Sequence, residues 1–173
     1  ISTVAIPDYA ELRCVSNFSF LRGASQPEEL VERAKQLGYT ALALTDECSM
    51  SGIVRAHTAA KQNQLKLLVG SQFRVDWGIT SSADTTSFDL TVLACNLQGY
   101  GNLRQFITKL RRSAPKGTYH LDISNIRGDE LADCVVLACP KRMSEPTQLA
   151  TVARWLLDQF IGRCWFGVDL LRI

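Results

Sequence analysis

Asp46 and Glu47 are adjacent carboxylates that follow a continuous apolar run, Tyr39 to Thr45. Two charges at the end of a strand buried on both faces are costly unless a cation faces them. The pair therefore reads either as metal ligands or an acid/base pair, or as Asp46 capping the next turn with Glu47 in solvent. In parallel α/β folds, ligands bind beyond the carboxyl ends of the strands. Arg13 to Asn17, Gly70 to Gln72 and Asn96 meet the same condition. His57 falls in a helical pattern away from any strand end, and His120 in a turn-like stretch with no partner in reach by sequence. Two isolated histidines make neither a metal site nor a proton relay. A serine–histidine–aspartate pattern and a glycine-rich phosphate loop are both missing.

The elements that must position these residues alternate between strand and helix. Leu12 to Val15 is a short strand, followed by a loop through Gly23. Ser25, Pro27 and Glu28 read as a helix start, with Ser25 as cap and Glu28 reaching back. Leu30, Val31, Ala34 and Leu37 form its apolar stripe, and Gly38 supplies a left-handed stop. The strand at 39–45 follows, buried on both faces. A helix over about 52–64 and a short strand over 66–70, extended through Gln72 to Trp77, come next. A polar loop, 78–86, leads to a strand at 89–95 and a helix at 103–112. Strands at 133–139 and 165–171 flank a helix at 148–161. This alternation predicts an α/β fold with parallel strands joined by crossover helices. Trp155, Phe160, Trp165 and Phe166 follow the periodicity of these elements and are expected in the core.

With 46% hydrophobic and 21% charged residues in 173, the chain is neither disordered nor fibrous, and a single domain over 1–173 is expected. Nineteen basic residues against seventeen acidic give +2, a balance that names no partner. No apolar run approaches the roughly 18 residues of a membrane span, and the N-terminus is not a signal peptide, so a cytoplasmic protein without a membrane partner is expected. The six cysteines contain no CxxC pair and read as reduced, mostly buried thiols. The first residue is Ile1 rather than Met, and the last strand ends at Ile173 without a following helix. The chain thus reads as part of a longer one, with an unpaired edge and a tendency to dimerise.

Two segments carry a resemblance. The stretch from Tyr9 to Ser25, with Ser16-Asn17-Phe18-Ser19-Phe20-Leu21-Arg22-Gly23-Ala24-Ser25 at its centre, closely resembles the opening of the polymerase and histidinol phosphatase (PHP) domain of bacterial C-family DNA polymerases, most of all the error-prone branch. Ala41 to Gly52, with Thr45-Asp46-Glu47 where active members have TDH, points to the same branch. Leu65 to Phe73 and Leu93 to Leu103 follow in the family's order and spacing.

The resemblance implies a distorted β/α barrel, incomplete in this chain, with a metal centre for phosphoester hydrolysis in active members. It also implies that this centre is degenerate here. The paired histidines of the first strand fall on Arg13 and Val15, the loop aspartate on Arg22, the TDH histidine on Glu47 and a later acidic ligand on Gln72. Asp46 is retained. Asp89 and Cys139 match further ligand positions less closely. Val15 cannot ligate, and arginine brings permanent positive charge to a cation's place. Arg13 or Arg22 is therefore expected to pair with Asp46 or Glu47. No catalytic, cofactor-binding or intact metal site is expected in this stretch, and its role is expected to be structural. The parent, by resemblance, is a DNA-damage-associated polymerase that uses Mg²⁺ on aspartates outside this chain. Its partners would be the downstream polymerase domains and, through the parent, DNA. Two rivals are a phosphoesterase or nuclease that rebuilds a zinc or manganese site from Asp46, Glu47, Asp89 and Cys139, and a free-standing interaction module. Arg104, Lys109, Arg111, Arg112 and Lys116 form a basic patch that is either a solvated face or a contact for phosphate or a neighbouring domain.

Overall fold

A computed structural model describes residues 8–77, 87–140 and 146–168. The chain divides into two compact units, Ile1–Val69 and Gly70–Ile173, and the division falls within one strand. The first unit contains β1 (Ala10–Cys14), α1 (Pro27–Gln36), β2 (Ala41–Leu44), α2 (Ile53–Asn63) and the opening of β3 (Lys66–Asp76). β1 pairs parallel with β2, and β2 parallel with Lys66 to Val69 of β3. Each crossover is a helix whose apolar stripe covers the sheet: Val31 and Ala34 of α1 pack with Ala56 and Ala60 of α2 against Leu42 and Leu44. All four residues of β2 are buried, which accounts for its unbroken apolar sequence.

The start of α1 is displaced by one residue from the sequence expectation. Gln26, not Ser25, is the cap, and its N–H donates to Glu29 Oε2 at 2.7 Å. Pro27 then occupies the first helical position, where no N–H is needed. Glu28 is freed to accept from Arg55 Nε of α2 at 2.6 Å. Gly38 takes the left-handed conformation, with φ +76°.

The second unit departs from the all-parallel expectation. The remainder of β3 pairs antiparallel with β4 (Ser87–Ala94), and β4 pairs antiparallel with β5 (Cys134–Cys139). Only β5 and β6 (Cys164–Phe166) are parallel, joined through α4 (Pro146–Gln159). The reason lies in the connection: residues 66–76 are one long strand, and only the ten residues 77–86 lie between it and β4. A parallel return needs a crossover of a dozen or more residues. The expected loop at 78–86 and the end of the last strand, 169–173, lie outside the described residues.

α3 (Leu97–Arg112) begins six residues earlier than its apolar pattern implied. Asn96 is its cap, accepting from the Gly99 N–H at 2.9 Å. Two short 3-10 turns, Ile123–Asn125 and Gly128–Leu131, follow. Phe73 and Phe106 meet edge to face at 5.4 Å, and Trp155 stands between Phe88 and Phe160. Phe160 is fully buried, but Trp165 and Phe166 are 53% and 42% exposed rather than core. They lie on β6, a strand of three residues that pairs only with β5 among the described residues.

Candidate functional site

The carboxyl ends of β1 and β2 converge on one buried carboxylate. Thr45 fixes their register, its N–H and its hydroxyl both donating to the Cys14 carbonyl at 2.7 and 3.1 Å. Asp46, next along, is 1% exposed. Its Oδ1 accepts from the Ser16 N–H at 2.8 Å and from Ser19 Oγ at 2.7 Å, and its Oδ2 accepts from Ser16 Oγ at 2.7 Å. The two serine hydroxyls are themselves oriented, because Ser16 Oγ accepts from the Phe18 N–H and Ser19 Oγ from the Glu47 N–H. Both serines are buried. Such a carboxylate has roughly four acceptor sites, and the loop after β1 supplies donors for three.

The same loop brings Arg22 to Glu47, with Nη1 to Oε2 at 2.6 Å. The arginine–carboxylate pair expected from the sequence is thus present, between Arg22 and Glu47. Glu47 is partly covered, and Asp46 binds the preceding loop. The loop returns on itself closely: a Cβ on Gly23 would lie 2.0 Å from the Ser16 carbonyl oxygen. Leu21 and Cys48, next to the paired Arg22 and Glu47, have φ of +62° and +45°. Non-glycine residues hold such angles only where their surroundings over-determine them. Arg13, at the bulge in β1, has its Nε buried. Burial, together with the Glu11 and Asp46 carboxylates, pushes the Cys14 thiol up to about 11. Phe20 and Leu21, at the tip of the loop, are 84% and 89% exposed.

The other predicted positions lie in the second unit. Asp89 stands opposite Cys139 across β4 and β5 and opposite Arg74 across β3 and β4. Gln72 is buried opposite Thr91, whose hydroxyl has no hydrogen-bond partner among the described residues. His57 is exposed on α2. His120, expected to have no partner, lies between two carboxylates, 3.7 Å from Asp76 and 3.6 Å from Asp122. That proximity comes from a bridge between Asp76 and Asp122, which sequence spacing does not reveal. Three cysteines are buried, two half-buried and Cys95 exposed, all as free thiols.

The PHP domain family matches residues 11–157. The chain belongs to this family. Relatives include the error-prone DNA polymerase of Bordetella parapertussis, 50% identical over 96% of this chain, and that of Dechloromonas aromatica, 48% identical over 96%. The chain spans 16% and 15% of their lengths. Among solved structures, a protein described as a metal-dependent phosphoesterase from Bifidobacterium adolescentis superposes with a TM-score of 0.64 at 13% identity, covering 94% of this chain and 77% of that one. An amidohydrolase from Chromobacterium violaceum does so with 0.66 at 16%, covering 91% and 75%. These likenesses establish the α/β barrel fold, of which this PHP domain carries an incomplete version.

The residues present do not fit a PHP metal cluster. Two or three ions that activate water each need several anionic or imidazole ligands. Here Asp46 is occupied by serine donors, Glu47 by a guanidinium, and Val15 offers no donor atom. No group of three or more His, Cys, Asp or Glu able to hold a metal occurs among the described residues. Ser16, inside the stretch Arg13 to Asn17 singled out from the sequence, and Ser19, outside it, were not read as donors to Asp46. Their signal was two serines three apart in a loop facing a buried aspartate.

Proposed function

We propose that this PHP domain is one part of an error-prone DNA polymerase and serves there as a structural body rather than as a hydrolase. The polymerase assignment is supported by identities of about one residue in two, sustained over 96% of the chain, with proteins of that name. Translesion synthesis after DNA damage, a nucleotidyl transfer dependent on Mg²⁺ and a cytoplasmic location follow from the same assignment. The residues for that transfer would lie outside this chain.

The non-hydrolytic role rests on one observation, the direct bond between Arg22 and Glu47. At these positions the family resemblance places two metal ligands, an aspartate and a histidine. In this chain they have become a cation and an anion that bond to each other at 2.6 Å. A guanidinium thus takes the bridging role of the ion, and it keeps its charge at every working pH. Asp46 is reused as the anchor of the loop between β1 and α1. That loop presents Phe20 and Leu21 to solvent, a surface suited to the rest of the polymerase.

The test is a primer-extension assay with the full-length protein and Mg²⁺, alongside hydrolysis of a 3′-labelled single strand and of bis-p-nitrophenyl phosphate by the 173-residue chain with Mn²⁺ or Zn²⁺. Extension by the first and no hydrolysis by the second is the expected pair of results. Hydrolysis that disappears in Asp46→Ala would contradict the structural role.

A further inference from the structure

We propose that the outer face of α3 is a binding surface for the phosphodiester backbone of nucleic acid. The 16-residue helix contains four basic side chains, Arg104, Lys109, Arg111 and Arg112, and no acidic one. Without it, the chain would hold 15 basic residues against 17 acidic. The helix therefore concentrates positive charge in a domain that is otherwise slightly negative.

The cations are not equivalent. Lys109 is paired with Glu130 at 2.5 Å, and Arg111 lies over the Tyr119 ring at 5.6 Å. Arg104 and Arg112 are exposed and have no ion-pair partner among the described residues. They lie eight residues apart, so helical rise separates them by about 12 Å along one face. Between them are Gln105, Thr108 and Lys109, and the five residues line a shallow depression of about 460 Å³.

The chemistry of this face selects the partner. The five residues of the depression offer guanidinium, ammonium, amide and hydroxyl groups, while the exposed Leu97 and Tyr100 stand nearer the start of the helix. A protein interface of useful strength is built round a desolvated apolar core, which these five residues do not supply. A phosphate backbone needs no such core, because arginine forks and counterion release supply the affinity. Capping of the helix dipole explains cations in the last turn, such as Arg112. It does not explain Arg104, which lies two turns before the end. The inference stands on this charge pattern and not on the polymerase assignment.

The test is fluorescence anisotropy of a labelled 20-base-pair duplex and of its single strand with the 173-residue chain, from 50 to 200 mM salt. Arg104→Gln/Arg112→Gln is the variant, with circular dichroism to show that it folds. Both residues face solvent, so folding is expected to be retained. The chain is expected to bind at least one of the two probes, the tighter one identifying the strand form recognised. In the variant, the slope of log K against log salt for that probe should fall by about 1.8 for duplex or 1.4 for single strand. Failure of the chain to bind either probe at 50 mM salt would overturn the proposal. So would an unchanged slope in the variant, or displacement of the probe by polyglutamate as readily as by unlabelled DNA. None of these results bears on primer extension by the full-length protein, so the two readings fail separately.

Discussion

Asp46 is a buried carboxylate held by donors of the preceding loop. A buried carboxylate must be answered by charge or by donors, and here Ser16 and Ser19 provide the donors. Asp46→Ala would leave two buried hydroxyls and one N–H unanswered, at a cost of about 3–5 kcal/mol. Arg22→Ala removes a partly solvated pair with Glu47 and should cost less than Asp46→Ala. Urea denaturation of both variants checks this ordering, and equal midpoints would contradict the anchoring role of Asp46. The adjacent carboxylates were legible in the sequence because charge after an apolar run is rare. The pairing of Arg22 with Glu47 was legible only through the family's ligand pattern, since 25 residues separate them. The serine donors were not read, because hydroxyls in a loop carry no periodic signal.

At the scale of elements, the two units differ in how well pattern revealed geometry. β1, α1, β2 and α2 each follow a single period, and their order forces parallel pairing through helical crossovers. The antiparallel pairing of β3 with β4 was misread, because hydrophobic alternation gives a strand but not its direction. α3 was read short because Gly99 and Gly101 resemble loop residues. Their roles are opposite. A Cβ on Gly99 would lie 2.1 Å from the Asp133 carbonyl oxygen, whereas one on Gly101 meets nothing within 4 Å. Gly99→Ala should therefore destabilise by roughly 3 kcal/mol, and Gly101→Ala should stabilise by up to about 1 kcal/mol through helix propensity. Thermal melts of the two variants should move in opposite directions. A Gly99→Ala variant that melts with the parent would mean that α3 does not start against the β4–β5 side of the sheet.

For the molecule as a whole, the family was legible from two sequence segments, and the fold followed from it. The proposed structural role concerns the site at the carboxyl ends of β1 and β2. Arg22 and Glu47 are bonded to each other, which that role takes as the replacement of an ion by a guanidinium. A domain that keeps such a site closed with its own side chains has no need of an ion for stability. The most direct measurement is the metal content of the purified 173-residue chain by elemental mass spectrometry, after dialysis against trace zinc and manganese and then against metal-free buffer. The expected result is no stoichiometric metal, with the melting temperature unchanged by added chelator. One or more ions retained per chain, and lost in Asp46→Ala, would contradict it.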